Sequence, residues 1–211
     1  MMHLSRVEVS WGSSKNPYNL HRAIWDLFPG GKCELRKTAE ESRNGFLFQI
    51  EKNKLGYPST VLVQSRNEPI LVSEHARVIA TKVFNPQPAH KQYLSFVLVA
   101  NPVKTILDQA ERLNKKGDIK KCRVPLIKDD QQIEWLNGKL NGIARLDATK
   151  VHKLAPIFFY KQKEKCSGKL MPILFEGILQ VIHPGTLVKV LEDGVGPGKA
   201  FGCGLMLVKR I

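Results

Sequence analysis

Cysteine is scarce in this sequence: Cys33, Cys122, Cys166 and Cys203 are the only four among 211 residues, and none has CxxC spacing. A zinc ribbon or a redox dithiol is therefore not expected, and free, mostly buried thiols are. No apolar run approaches the roughly 20 residues needed to cross a bilayer. The N-terminus lacks a basic region followed by an apolar core and a cleavage site. Neither Met1 to Val9 nor Met206 to Ile211 supplies an amphipathic basic helix or a lipidation signal, so no membrane partner is expected and the expected location is the cytoplasm. Acidic residues are few as well. The pairs Glu40 with Glu41 and Asp129 with Asp130 are adjacent, unlike the carboxylate cluster of a two-metal nuclease. Neither a metal nor a cofactor is expected.

Basic residues fill the gap. Against 19 Asp and Glu stand 33 Lys and Arg, a formal net charge of +14, far more than solubility needs. A polyanionic partner follows, and with membranes set aside nucleic acid is favoured. The excess is uneven: residues 1–90 hold 12 basic and 8 acidic side chains, net +4, and residues 91–211 hold 21 and 11, net +10. The second part should make most phosphate contacts. Its densest segment carries Arg112, Lys115, Lys116, Lys120, Lys121, Arg123 and Lys128; Lys161, Lys163, Lys165 and Lys169 surround Ser167 and Gly168 like a basic hairpin tip. Charge clusters are ordinarily solvated faces, and here the overall imbalance tips the reading toward phosphate. Neutralising roughly six to ten phosphates would weaken binding about a thousandfold or more between low and moderate salt.

Hydrophobic periodicity gives the organisation. A strand is expected near His3 to Val9, then a helix near Pro17 to Phe28, capped by Asn16 and with Pro17 in its first turn. Strands follow near Phe46 to Glu51 and Ser59 to Ser65, a weak helix around Leu71 to Ala76, and a strand near Val78 to Phe84. Asn85 to Pro88, with two prolines, reads as a linker. A second series begins with a strand at Tyr93 to Ala100, runs through the basic segment to a helix near Asp129 to Asn141, and continues with strands near Val151 to Lys161 and Leu170 to Val181. A helix near Thr186 to Glu192, ended by Gly194, precedes a last strand near Gly204 to Lys209. Each half reads βαββαβ. The expected class is α+β, with tandem ferredoxin-like (RRM-like) domains at residues 1–88 and 89–211. That frame raises the prior for RNA without proving it.

Tyr18 and His21 are three apart on the first helix and project from one face, with Arg22 and Trp25 extending it and Leu20, Ile24, Leu27 and Phe28 forming a buried stripe. RNA carries its own nucleophile. Its 2′-hydroxyl attacks the adjacent phosphate once a base removes the proton and an acid protonates the leaving 5′-oxygen. Histidine suits either task, tyrosine suits donation or orientation, and a nearby cation stabilises the phosphorane. A His and a Tyr on one helix are more often packing residues, and His3, His75, His90, His152 and His183 are alternatives that spacing does not exclude. Residues 194–204 hold five glycines, and backbone amides there can cradle phosphate with Gly196, Gly198 and Lys199 closest to that role. Asp193 and Ala200 break a Walker pattern; a tight loop before an edge strand is the alternative, and the surrounding charge favours phosphate.

Taken together, HLSRVEV at residues 3–9, YNLHRAIWDLFPG at 18–30, FLFQIE at 46–51, ANPVKTILD at 100–108, KGDIKKCRVPLIKDDQQIEWL at 116–136, FEGILQV at 175–181 and GVGPGKAFGCGLM at 194–206 span nearly the whole chain. In them the sequence resembles the CasE-type CRISPR RNA-processing endoribonucleases, Cascade subunits of the RAMP superfamily. The resemblance implies tandem ferredoxin-like domains and recognition of the hairpin in CRISPR repeat RNA. It also implies cutting of the precursor at the 3′ base of the stem to leave a 2′,3′-cyclic phosphate, and retention of the mature guide beside other Cascade subunits. It implies catalytic roles for His21 and Tyr18, whose spacing matches the family's, and an RNA role for Arg22, a position basic in only some members. The glycine-rich loop matches the superfamily's signature, and the hairpin around Lys161 to Lys169 resembles a region that grips the stem. Lys104, Lys115, Lys116, Lys120, Lys121 and Arg123 complete the expected RNA-binding set. Isolated, the protein is expected to be a monomer. Residues 31–44 form a longer insertion than the family's pattern and read as a surface loop. Two other readings stay open: a non-catalytic subunit that binds structured RNA with His21 merely structural, and a metabolic ferredoxin-like enzyme with incidental charge.

Overall fold

The computed structural model describes residues 1–29, 45–108, 110–113, 117–161 and 166–211. The chain opens with β1 (Met2–Val9), a one-turn helix α1 (Trp11–Ser14) and α2 (Pro17–Trp25), followed by β2 (Phe46–Lys52), β3 (Ser59–Ser65) and β4 (Ala76–Phe84). These strands make an antiparallel sheet of order β2-β3-β1-β4. Their alternation decides which face is dry: Ile50, Val61, Val7 and Val78 share one rung and, with Phe46, Phe48 and Val63, pack against Leu20, Ala23, Ile24 and Leu27. α2 starts where the sequence indicates. The Asn16 side chain accepts from the Tyr18 amide at 3.0 Å, and Pro17 occupies the first turn, where its missing N–H costs nothing.

The weak helix expected around Leu71 to Ala76 does not form. Ser73 instead closes a turn, its amide donating to the Ala76 carbonyl at 2.8 Å and its hydroxyl accepting from the Ala76 amide at 3.2 Å. Val72 then bridges Arg77 at the start of β4. A serine that satisfies nearby backbone in this way competes with a short helix, and six residues cannot offset the cost of nucleating one.

The second half runs β5 (Tyr93–Ala100), β6 (Val103–Leu107), β7 (Lys121–Pro125), α3 (Asp129–Leu140), β8 (Ala144–Lys153), β9 (Ile157–Lys161), β10 (Cys166–Leu170), β11 (Ile173–Val181), α4 (Pro184–Asp193) and β12 (Met206–Arg210). Four of these strands form a sheet of order β12-β5-β11-β8. Met206, Leu98, Phe175 and Val151 make a rung beneath Leu136 and Leu140 of α3 and Leu187 and Leu191 of α4.

Two departures from the periodicity reading shape the surface. The basic segment before α3 contains a two-stranded ribbon, β6–β7, separate in hydrogen bonding from both larger sheets. The strands expected at Val151 to Lys161 and Leu170 to Val181 are each cut in two, at Pro156 and Pro172. Proline lacks the ladder's donor, and with one on each strand the β9–β10 hairpin leaves the sheet as its own ribbon.

The halves are locked by a buried hydrogen bond of 2.6 Å from the Gln64 side-chain amide in β3 to the Leu191 carbonyl in α4. Arg66 adds an exposed ion pair to Asp193 at 3.2 Å. Among the described residues no helix is long and apolar enough to cross a membrane.

Candidate functional site

α2 presents Tyr18 and His21, both half-buried, one turn apart along the edge of its apolar stripe. The His21 ring lies on an aromatic wall, 5.1 Å from the Phe46 ring and 6.2 Å from the Phe48 ring, with Trp25 edge-on at 6.1 Å. Phe46 and Phe48 are buried strand residues, so the imidazole rests on a rigid support. Trp25 closes over Gly45, where a Cβ would stand 2.7 Å from its ring. Arg22, also on α2, is exposed.

The glycine-rich loop reaches this helix from the other end of the chain. All five of its glycines have positive φ, from +76° to +94°, a region where L side chains are strained. The resulting turns press the loop onto β2: a Cβ at Gly202 would sit 3.3 Å from Phe48, and one at Gly194 would sit 2.8 Å from Leu47. A short 3-10 turn, Lys199–Phe201, carries Phe201 to Tyr18, ring edge to face at 5.3 Å. Phe159 of β9 stacks on Phe201 at 4.5 Å and meets Tyr18 at 5.8 Å. Tyr18 is thus held by two rings from the second half. Sequence reasoning missed Phe159 and Phe201, because nothing local marks a residue whose role is a contact across the whole chain.

Several of the loop's amides are taken up by backbone carbonyls of the loop itself, of α4 and of β5. The amides of Gly194, Val195, Phe201, Gly202, Cys203 and Gly204 donate to backbone carbonyls. Gly196 faces Trp135, and Gly198 faces Cys203 and Asn101. The Lys199 ammonium, read from sequence as a phosphate ligand, donates to the Asp193 carbonyl, and burial holds its pKa below the usual lysine value against the opposing charge of Asp193. The loop is tight and precedes β12, an edge strand.

The basic residues fall into separate groups. Lys121 and Arg123 share one face of the β6–β7 ribbon, and Lys104 lies on the opposite face; all three are exposed, as is Lys120 beside the ribbon. Arg112 is committed elsewhere, donating twice to Asp108 at 2.5 and 3.3 Å. That guanidinium holds the Asp108 carboxyl below the usual carboxylate range. Lys169, exposed on β10, places its ammonium 5.4 Å from the centre of the Phe158 ring. Lys161 ends β9, its backbone paired with Cys166. Lys115, Lys116, Lys163 and Lys165 and the insertion at residues 31–44 lie outside the described residues.

The other candidate histidines lie outside α2, His3 on β1 and His75 just before β4. His152 faces Glu176 at 3.4 Å, the His90 ring contacts the Ile182 carbonyl at 2.7 Å, and His183 precedes α4. Among the described cysteines Cys122 is half-buried and Cys203 buried, both as free thiols; burial pushes the Cys203 pKa up to about 12. Among the described residues no three His, Cys, Asp or Glu side chains converge as metal ligands.

Comparison with known proteins gives a consistent picture. A family model described as "CRISPR associated protein" matches residues 2–210. The chain is 38% identical over 205 residues, 97% of its length and 98% of the relative's, to the CRISPR system Cascade subunit CasE of Escherichia coli. It is 33% identical over 207 residues, 92% of its length and 90% of the relative's, to the CRISPR-associated endoribonuclease Cse3 of Thermus thermophilus. Its fold is similar to that of Thermus thermophilus Cse3 bound to an RNA representing a pre-cleavage complex, with a TM-score of 0.72, 30% identity and 99% of each chain covered.

Proposed function

The chain belongs to the CRISPR-associated protein family that matches it almost end to end, and from that premise we propose that it is an endoribonuclease that cuts precursor CRISPR RNA at the 3′ base of the repeat hairpin. The nucleophile is the RNA's own 2′-hydroxyl, so the products carry a 2′,3′-cyclic phosphate and a 5′-hydroxyl, and no metal is needed. The enzyme then keeps the mature guide as a Cascade subunit. Residues 1–88 supply the catalytic helix, and residues 89–211 supply most of the phosphate contacts.

One observation carries the reading. A histidine and a tyrosine one turn apart are each fixed by aromatic rings, yet each stays partly exposed at the edge of α2. Ordinary core residues would be covered. His21 moves a proton, either from the 2′-hydroxyl or to the leaving 5′-oxygen. Tyr18 orients or donates to the scissile phosphate, and Arg22 stabilises the charge that develops there. The substrate's stem presents phosphates and few readable base edges in its deep groove. Exposed Lys104, Lys120, Lys121 and Arg123 suit that shape, and the similarity to a relative solved with RNA supports the assignment.

The test is single-turnover cleavage of repeat-hairpin RNA in EDTA. His21→Ala should slow cutting about a hundredfold or more while leaving hairpin affinity near the wild-type value. Unchanged cutting by that variant, or loss of wild-type cutting in EDTA, contradicts the assignment.

A further inference from the structure

The β9–β10 hairpin has two faces that do different things. Phe159 points inward onto Phe201 and Tyr18, and its ring lies across Gly168, where a Cβ would stand 2.2 Å away. Its neighbours Phe158 and Tyr160, on the alternate face, are 67% and 52% exposed. Leaving such rings in water forgoes the stabilisation that burial would bring, so an exposed aromatic pair beside the proposed catalytic helix signals a ligand.

The surroundings say which ligand. Lys169 is the cross-strand partner of Phe158 and sets its ammonium over the ring. Phe158 also helps to line a cleft of about 200 Å³ at the start of α2, together with Ser14, Lys15, Ile50, Asn53 and Phe201. Phe201 is also the ring against Tyr18, so this cleft adjoins the proposed site of cutting. An apolar protein partner would have to desolvate two lysines. A nucleotide instead matches both features at once, a flat π face for the ring and a phosphate for each ammonium.

We propose that Phe158 is a stacking platform for one unpaired nucleobase adjoining the stem of the bound RNA, with Lys15 and Lys169 on its flanking phosphates. This rests on the reading that the chain binds hairpin RNA. Phe158 is then a positioning residue: by holding the base beside the scissile phosphate it fixes the strand relative to Tyr18 and His21.

The experiment uses the full chain and a hairpin RNA made uncleavable by 2′-deoxy substitution at the cleavage nucleotide, with 2-aminopurine at each unpaired position beside the stem in turn. At one position binding should quench the fluorescence, and Phe158→Ala should abolish that quenching while Phe158→Tyr retains it. Phe158→Ala should weaken binding roughly tenfold. An abasic residue at the same position should weaken binding similarly, with no further loss when the two changes are combined. If Phe158→Ala binds the intact and abasic RNAs as the wild type does, the platform is wrong and the aromatic face is left to a protein neighbour. If the wild type binds no hairpin RNA, the functional reading fails and this inference with it.

Discussion

Tyr18 and Phe201 meet ring edge to face, 5.3 Å between centroids, although one lies near the beginning of the chain and the other near its end. The face of α2 that carries Tyr18 is therefore completed by the glycine-rich loop of the second half. If Tyr18 acts in cleavage, Phe201 positions it. Phe201→Ala should lower the single-turnover rate at saturating protein by roughly tenfold, and Phe201→Tyr should restore most of it. In a Tyr18→Ala background the Phe201 change should add almost nothing, because residues acting as a unit are not additive. Full additivity would separate the two residues.

The loop's path over Phe48 depends on glycine. Gly202 has a φ of +82°, and a Cβ there would press to 3.3 Å from the Phe48 ring. Gly202→Ala should cost about 1–2 kcal/mol in backbone strain alone. Gly12, in α1, has open space around it, and Gly12→Ala should be neutral or mildly stabilising. Urea unfolding of both variants measures the contrast; equal stabilities would show that the loop is not held as described.

Gln64 tests the lock between the halves. Its amide donates to the Leu191 carbonyl at 2.6 Å in a buried setting. Gln64→Ala should destabilise the protein by about 1–3 kcal/mol, the cost of stranding a buried polar group. A change below about 0.5 kcal/mol, within the range of ordinary surface substitutions, would mean that water or a neighbour replaces the bond.

Alkaline pH offers a separate handle. Burial raises the Cys203 thiol from 9.0 to about 12, so the unfolded chain ionises first. The resulting stability is full below about pH 9 and declines as pH rises toward 12. The slope approaches about 1.4 kcal/mol per pH unit at most. Cys203→Ala should lose this contribution, giving a shallower decline than the wild type above pH 9 in stability measured against pH. Parallel curves would argue that Cys203 is open to solvent.

Much of this architecture is written locally. Asn16 and Pro17 mark the start of α2, Leu20 and Ile24 mark its buried face, and the alternation around Val7 and Val61 marks a half-buried sheet. What depends on long-range contact is not. Ser73 takes the chain through a turn where the local pattern suggests a helix. Pro156 and Pro172 act together to release β9–β10 only because their strands are neighbours. Lys199 reads as a phosphate ligand in sequence, yet its ammonium is drawn back to the Asp193 carbonyl once the glycines fold the loop. His21 was legible as a candidate from its spacing to Tyr18, while its support by Phe46 and Phe48 required the sheet.

The most direct measurement is the identity of the ends left on hairpin RNA cut by the wild-type protein. Attack by the strand's own 2′-hydroxyl leaves a 5′-hydroxyl and a 2′,3′-cyclic phosphate, and a 2′-deoxy sugar at the cut site leaves the RNA whole. A 5′-phosphate paired with a 3′-hydroxyl would mean that water is the nucleophile, and the role given to α2 would not stand.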